Sequence, residues 1–240
     1  MAQTYIGASI RRKEDRRFLT GTGQFVDDVK LPHMLHAAVV RSPHAHARIL
    51  TIDASVARLM QGVVAVLTYQ DIETTVEPRP IPLRARSYPG IERFLQYPLA
   101  HRKVRYVGEP VAVVLAETRY LAEDALDGVA VAYDPLPAIV DVWQSLSGDV
   151  LLFEEHGTNL AYEFASALGD VDEAFRQADY TRKETFRCHR HTANPLETRG
   201  LVASYAPGRH ELTVWGETKV PHFNRGVLAA APRPVELSVP

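Results

Sequence analysis

Short apolar, β-branched runs separated by short capped helices constrain this chain most. Val63–Thr68 and Pro110–Ala116 are rich in valine and carry no charge, as a buried strand requires. His36–Val40, Val104–Val107, Val129–Tyr133 and Ala138–Val140 read as further strands. Between them, Asp53 is placed to cap a helix over Ala54–Met60, with Gly62 at its stop. Thr118 is placed to cap another over Arg119–Asp127, ended by Gly128. In that second helix Leu121, Ala122, Ala125 and Leu126 share one face. Strands alternating with short helices predict an α/β or α+β domain over roughly residues 20–142. Residues 77–90 hold four prolines and read as a basic loop.

The pattern then weakens. Residues 143–169 read as a linker. Asp170-Val-Asp-Glu173 has capping-box spacing ahead of a helix carrying Ala174, Phe175 and Ala178. Lys183–His191, Leu201–Tyr205 and Glu211–Trp215 read as strands, with a turn at Pro207-Gly208 joining the last two. Val220–Ala231 reads as a helix with Pro221 in its first turn. Arg233–Pro240 reads as a strand. The expected division is an N-terminal arm over 1–19, a domain over 20–142, a linker over 143–169 and a partial domain over 170–240.

Composition excludes several classes. A chain of 240 residues with formal charge −2 carries no field that would hold nucleic acid. One cysteine, Cys188, excludes an internal disulfide framework and an iron–sulfur cluster held by this chain. It also suits a reducing compartment, and the cytoplasm is the expected location. No run approaches the roughly 20 apolar residues of a membrane span, and the first residues lack the apolar stretch of a secretory signal.

Three blocks carry a family resemblance. The first is Thr20-Gly-Thr-Gly-Gln-Phe-Val-Asp-Asp-Val-Lys-Leu-Pro32, continuing to Val40-Arg-Ser-Pro-His-Ala-His-Ala-Arg-Ile49. The second is Val104-Arg-Tyr-Val-Gly-Glu-Pro-Val-Ala112, continuing to Val131-Ala-Tyr-Asp-Pro-Leu-Pro137. The third is Asn194-Pro-Leu-Glu-Thr-Arg-Gly200 with Glu211-Leu-Thr-Val-Trp-Gly-Glu-Thr-Lys-Val-Pro-His222. Together they resemble the large subunits of the xanthine dehydrogenase, aldehyde oxidase and carbon monoxide dehydrogenase family. The resemblance implies an α+β chain: a hammerhead α/β domain, then the first strands and helices of a molybdopterin-binding domain. It implies a molybdenum hydroxylase acting on aldehydes, heterocycles or carbon monoxide. The cofactor would be molybdopterin in its cytosine dinucleotide form, held in the complete assembly or not at all by this chain alone. Iron–sulfur clusters and FAD would sit on partner subunits. A C-terminal molybdopterin-binding polypeptide would be a further partner. The alternative is a non-catalytic binding or assembly module, or a truncated remnant, on the same fold.

Lys219 occupies the position where the resemblance places a glutamine near the metal's ligands. Lysine offers only donors, and adds a charge. It is the one candidate cofactor-binding residue. No catalytic residue is assigned, because the family's glutamate base lies beyond this stretch. His189 and His191 could chelate from one face of a strand, but no third ligand is evident, so no metal site is assigned. His44 and His46 have the same spacing and suit a structural role. Glu197 is placed to pair with Arg199 or to cap a backbone end. Gly21-Thr-Gly23 and Gly108 lack the spacing of a phosphate loop and read as turn glycines.

Overall fold

The computed structural model describes residues 5–75, 78–83 and 88–230. Along the chain run α1 (Asp15–Leu19), β1 (His36–Arg41), β2 (Ala47–Asp53), α2 (Ser55–Leu59), β3 (Val63–Thr68), α3 (Tyr69–Thr75), β4 (Lys103–Val104) and β5 (Pro110–Ala116). Then follow α4 (Arg119–Asp124), β6 (Ala130–Pro135), α5 (Val142–Ser147), α6 (Val171–Gln177), β7 (Leu201–Ala206), β8 (Glu211–Gly216) and α7 (Pro221–Ala230). The expected α+β class holds. The chain divides into two compact units. One joins Met1–His33 to Glu184–Pro221; the other joins Met34–Lys183 to His222–Pro240.

The larger unit carries two antiparallel three-stranded sheets, ordered β1-β5-β3 and β4-β2-β6. β5 is central in the first, and its valines are covered on both faces, which explains its unbroken apolar sequence. The core is built from small side chains. Ala54, Ala57, Val66, Ala112, Val114, Ala125 and Val129 form one cluster; Ala47, Ala100, Val104 and Val111 form a second. Val104, Val111 and Val114 are the largest side chains buried completely. Such a core depends on backbones approaching closely. Gly128 shows this: a Cβ there would lie 2.9 Å from the Ala57 amide nitrogen. Gly128 is therefore set by the approach of α2, and not by a helix stop as its sequence position suggests.

Every buried residue among the described residues lies between Ala38 and Val129. Residues 130–230 contain none. Many of their apolar side chains are exposed, Trp143, Phe164, Phe175 and Leu196 among them.

Several local expectations hold. Thr118 Oγ1 accepts the Leu121 amide at 3.2 Å, and Asp170 Oδ1 accepts the Glu173 amide at 2.9 Å. Others are corrected. Asp53 lies one residue outside the cap of α2, although its carboxylate accepts the Ser55 amide at 2.9 Å. The strand expected over Val104–Val107 ends at Val104, because the Glu109 carboxylate takes the Arg105 amide and the chain turns at Gly108, φ +88°. Ala138–Val140 makes no ladder, since Pro135 and Pro137 lack amide hydrogens where pairing would continue. Lys183–His191 has no strand among the described residues; it is exposed throughout. The segment expected as a linker contains α5, begun by Asp141, whose carboxylate accepts the Trp143 amide at 2.9 Å. Arg233–Pro240 lies outside the described residues.

Candidate functional site

In the larger unit, the motif blocks converge at one corner. The Ser42 amide donates to the Glu109 carbonyl at 3.0 Å, and the Gly108 amide donates to the Ser42 carbonyl at 2.8 Å. Arg41 also donates to the Gly108 carbonyl, at 2.9 Å. The Leu136 amide donates to the His46 carbonyl at 2.9 Å, while His46 Nδ1 lies 2.8 Å from the Pro137 carbonyl. A carbonyl only accepts, so Nδ1 carries the hydrogen. His46 is buried; His44 packs edge-on against Tyr133, 5.0 Å between ring centres. The two histidines thus lock β2's entry to β6, through Tyr133, and to the chain that follows it. They do not converge on a ligand.

Glu109 is buried at 5% exposure. Burial pushes its carboxyl up, and the Arg105 and Tyr106 amides with the Arg105 charge pull the other way. It lines a pocket of about 400 Å³ with Arg93, His101, Arg102, Lys103, Arg105 and Phe153. Burial holds the His101 imidazole below its ordinary range, helped by the Arg102 charge, and its ring stacks on Tyr69 at 4.0 Å. Two of the cations are already engaged. Lys103 pairs with Glu154, and Arg105 pairs with Glu155 at 3.1 Å. Arg105 also donates to the Leu152 carbonyl at 2.9 Å and lies 4.1 Å over the Phe153 ring. Their role is to dock residues 152–156 on the domain. The two pairs, four residues from sequence-distant segments, could not be found from spacing alone.

In the smaller unit, Glu197 Oε1 accepts the Val26 amide at 2.8 Å. This is the backbone-end reading of Glu197, realised 171 residues away in sequence. Val26 opens a single 3-10 turn, Val26–Asp28, whose other end is tied by Asp28 accepting the Phe25 amide. Gly200 stands close enough that a Cβ would touch the Val26 side chain. The Asn194–Gly200 motif therefore anchors the Thr20–Pro32 motif.

Lys219 is exposed, at a bend between β8 and α7. Cys188, His189 and His191 are exposed on an irregular segment. No group of three or more metal-ligating side chains exists among the described residues. No helix among them is long and apolar enough to cross a membrane. A donor-only, exposed cation fits one anionic edge of a cofactor. It does not by itself form a cradle around one.

Residues 20–137 match the aldehyde oxidase and xanthine dehydrogenase a/b hammerhead domain, and residues 152–233 match the molybdopterin cofactor-binding domain. The chain is 41% identical over 231 residues to the 6-hydroxypseudooxynicotine dehydrogenase complex subunit gamma of Paenarthrobacter nicotinovorans, covering 95% of this chain and 28% of that protein. It is 37% identical over 215 residues to the nicotinate dehydrogenase large molybdopterin subunit of Eubacterium barkeri, covering 87% of this chain and 46% of that one. That relative is thus a shorter polypeptide bearing the same region. Among solved structures, quinoline 2-oxidoreductase from Pseudomonas putida 86 superposes with a TM-score of 0.77 at 34% identity, covering 93% of this chain and 28% of that one.

Proposed function

This chain belongs to the large-subunit family of xanthine dehydrogenase, aldehyde oxidase and carbon monoxide dehydrogenase, and from that premise we propose that a second polypeptide completes its active site. The chain supplies the hammerhead domain and the opening of the molybdopterin-binding domain of a molybdenum hydroxylase. In this reading an arm over 1–19 precedes the hammerhead over 20–142, and a linker over 143–169 leads to the partial domain over 170–240. The observation that carries the reading is the position of the core. Every buried residue lies between Ala38 and Val129, and residues 130–230 reach at most partial burial among those described. About a hundred residues without a closed core cannot offset their own ordering entropy. The rest of the molybdopterin-binding domain would supply the missing cover. A family member carrying the same region on a shorter chain adds support.

In this reading the complete assembly binds molybdopterin in its cytosine dinucleotide form and oxidises an aldehyde, a heterocycle or carbon monoxide. Molybdopterin supplies the redox-active metal when bound. Lys219 is the residue of this chain that would approach it, donating to an anionic oxygen. Iron–sulfur and flavin subunits take the electrons onward. The assembly works in the cytoplasm, which suits a chain with a single cysteine.

Co-expression with the polypeptide encoded next to this gene, followed by metal analysis of the purified complex, tests the reading. The expected result is a stable complex containing molybdenum. A well-folded monomer without molybdenum, whose cooperative melting is unchanged by co-expression, would sink it and leave a non-catalytic module.

A further inference from the structure

The turn from His101 to Lys103 is strained, and an arginine sits at its centre. The Lys103 amide donates to the His101 carbonyl at 2.7 Å, and Arg102 between them has φ +64°. A bond that spans a single residue of positive φ is a γ-turn of the rare, strained kind. Glycine takes such a φ freely; another residue holds it only where the surroundings enforce it. Here the Ile49 amide enforces it, donating to the Arg102 carbonyl at 2.8 Å. The turn leads into β4, which pairs with β2 through Lys103 and Val104. Glycine would serve that pairing without strain, so the pairing does not account for the arginine.

What the turn achieves is to set Arg102 on the wall of the pocket of about 400 Å³, which lies wholly within the larger unit. The Arg102 guanidinium has no ion pair or hydrogen bond among the described residues. Beside it the His101 ring lines the same pocket, one face stacked on Tyr69. Tyr97 stands edge-on to both rings, 5.4 Å from Tyr69 and 6.2 Å from His101. Burial and the Arg102 charge keep the imidazole uncharged at neutral pH. Lys103 and Arg105 are neutralised by Glu154 and Glu155. That leaves Arg102 and Arg93, whose charge lies 5.0 Å over the Phe94 ring, facing the buried carboxylate of Glu109. Two cations against one carboxylate give the pocket one net positive charge.

We propose that this pocket binds a planar aromatic monocarboxylate, with the Arg102 fork on the carboxylate and the ring packed against His101 and Tyr97. A planar fork matches a carboxylate with two parallel hydrogen bonds. Aromatic walls favour a flat ring, stacked or edge-on. The volume is that of a small-molecule site and exceeds what a lone inorganic ion fills. The charge balance selects further. A phosphate group carries up to two negative charges near neutral pH, and the second would meet Glu109 without a free cation to offset it. The site stands or falls independently of how the subunit is completed.

Calorimetry on the full chain with naphthoate tests the site, beside naphthylmethanol, acetate and inorganic phosphate. Naphthoate should bind with a Kd of about 1 mM or tighter, and the other three about tenfold or more weaker. Naphthylmethanol lacks the charge, acetate the ring, and phosphate both the ring and the single charge. Arg102→Gly removes the fork and relieves the turn. It should weaken naphthoate about tenfold or more, while the melting temperature does not fall. Arg102→Lys keeps the charge without the fork, and should bind with intermediate affinity. Naphthoate should also shift the nuclear magnetic resonance signals of the His101 ring protons. No binding by the unaltered chain overturns the proposal. So does equal binding by Arg102→Gly, or binding that leaves the His101 signals unmoved. Phosphate bound as tightly as naphthoate overturns it in favour of a plain anion site. A fall in the melting temperature of Arg102→Gly overturns it too, because the arginine would then serve the fold.

Discussion

Glu197 accepts the Val26 amide at 2.8 Å, joining residues 171 positions apart. The bond fixes the start of the Val26–Asp28 turn from the opposite end of the chain. Glu197→Ala should loosen the arm without disturbing the larger unit, whose core lies elsewhere. A bond to a charged acceptor at a partly exposed site is worth about 1 kcal/mol. Limited proteolysis should therefore cut within residues 5–33 faster than in the unaltered chain, and Glu197→Gln, which keeps an acceptor, should recover most of the protection. Equal cutting rates in all three proteins would refute the anchor.

Gly128 faces the Ala57 backbone, with no room for a methyl group. Backbone cannot swing aside as a flexible side chain can. Gly128→Ala should cost about 1–3 kcal/mol, the usual penalty of overpacking a tight core. Denaturant titration of the larger unit's transition gives the number directly; a midpoint shift worth under 0.5 kcal/mol, roughly surface-change size, would show that α2 moves freely.

His101 links stability to pH. Burial first, then the Arg102 charge and to a smaller extent Arg105, hold its folded pKa below the ordinary 6.5, with Glu73 acting the other way. The unfolded chain takes up a proton as pH falls through 6.5, while the folded protein resists. Its contribution is thus present above pH 6.5 and is lost as the pH drops toward the lowered folded value. The melting temperature should fall between pH 7 and pH 5, and His101→Gln should remove part of that fall. Parallel curves for the two proteins would count against the assignment.

Arg105 docks residues 152–156 through Leu152, Phe153 and Glu155. Its pairing with Glu155 is half exposed and contributes little; the carbonyl bond and the contact with the Phe153 ring contribute roughly 1–2 kcal/mol together. Arg105→Met should speed hydrogen exchange of the Leu152–Gly157 amides about tenfold or more at that energy. Exchange there should rise only slightly at high salt, because most of the contact is not Coulombic between exposed charges. A large rise with salt would reverse that ranking.

The fold was most legible where burial dictates residue type. Val63–Thr68 and Pro110–Ala116 are apolar because both lie in the first sheet and the core closes on them. Thr118 and Asp170 announce their helices because capping is local chemistry. Arg105–Val107 misled because a β-branched, aromatic sequence was spent on a turn fixed by a distant-looking carboxylate, Glu109. The site was less legible than the fold. Glu197 carries its meaning only in company with Val26, and Lys103 only in company with Glu154. Such pairs leave no spacing to read. Lys219 stood out against a family pattern, and the structure places it exposed at a bend where no other group of the described residues engages it in a cradle.

The closing of the core by Val129 has a consequence in time. During synthesis the β2–β6 pairing is complete once Pro135 has emerged, since Ala47 to Asp53 then meet their last partners. The hammerhead can fold while the later half is still being made. The Thr20–Pro32 stretch is made earlier still, but its anchor Glu197 emerges some sixty residues after Pro135. The earliest of the motifs to be translated is thus among the last to be fastened, and it stays open to proteases and chaperones for that interval.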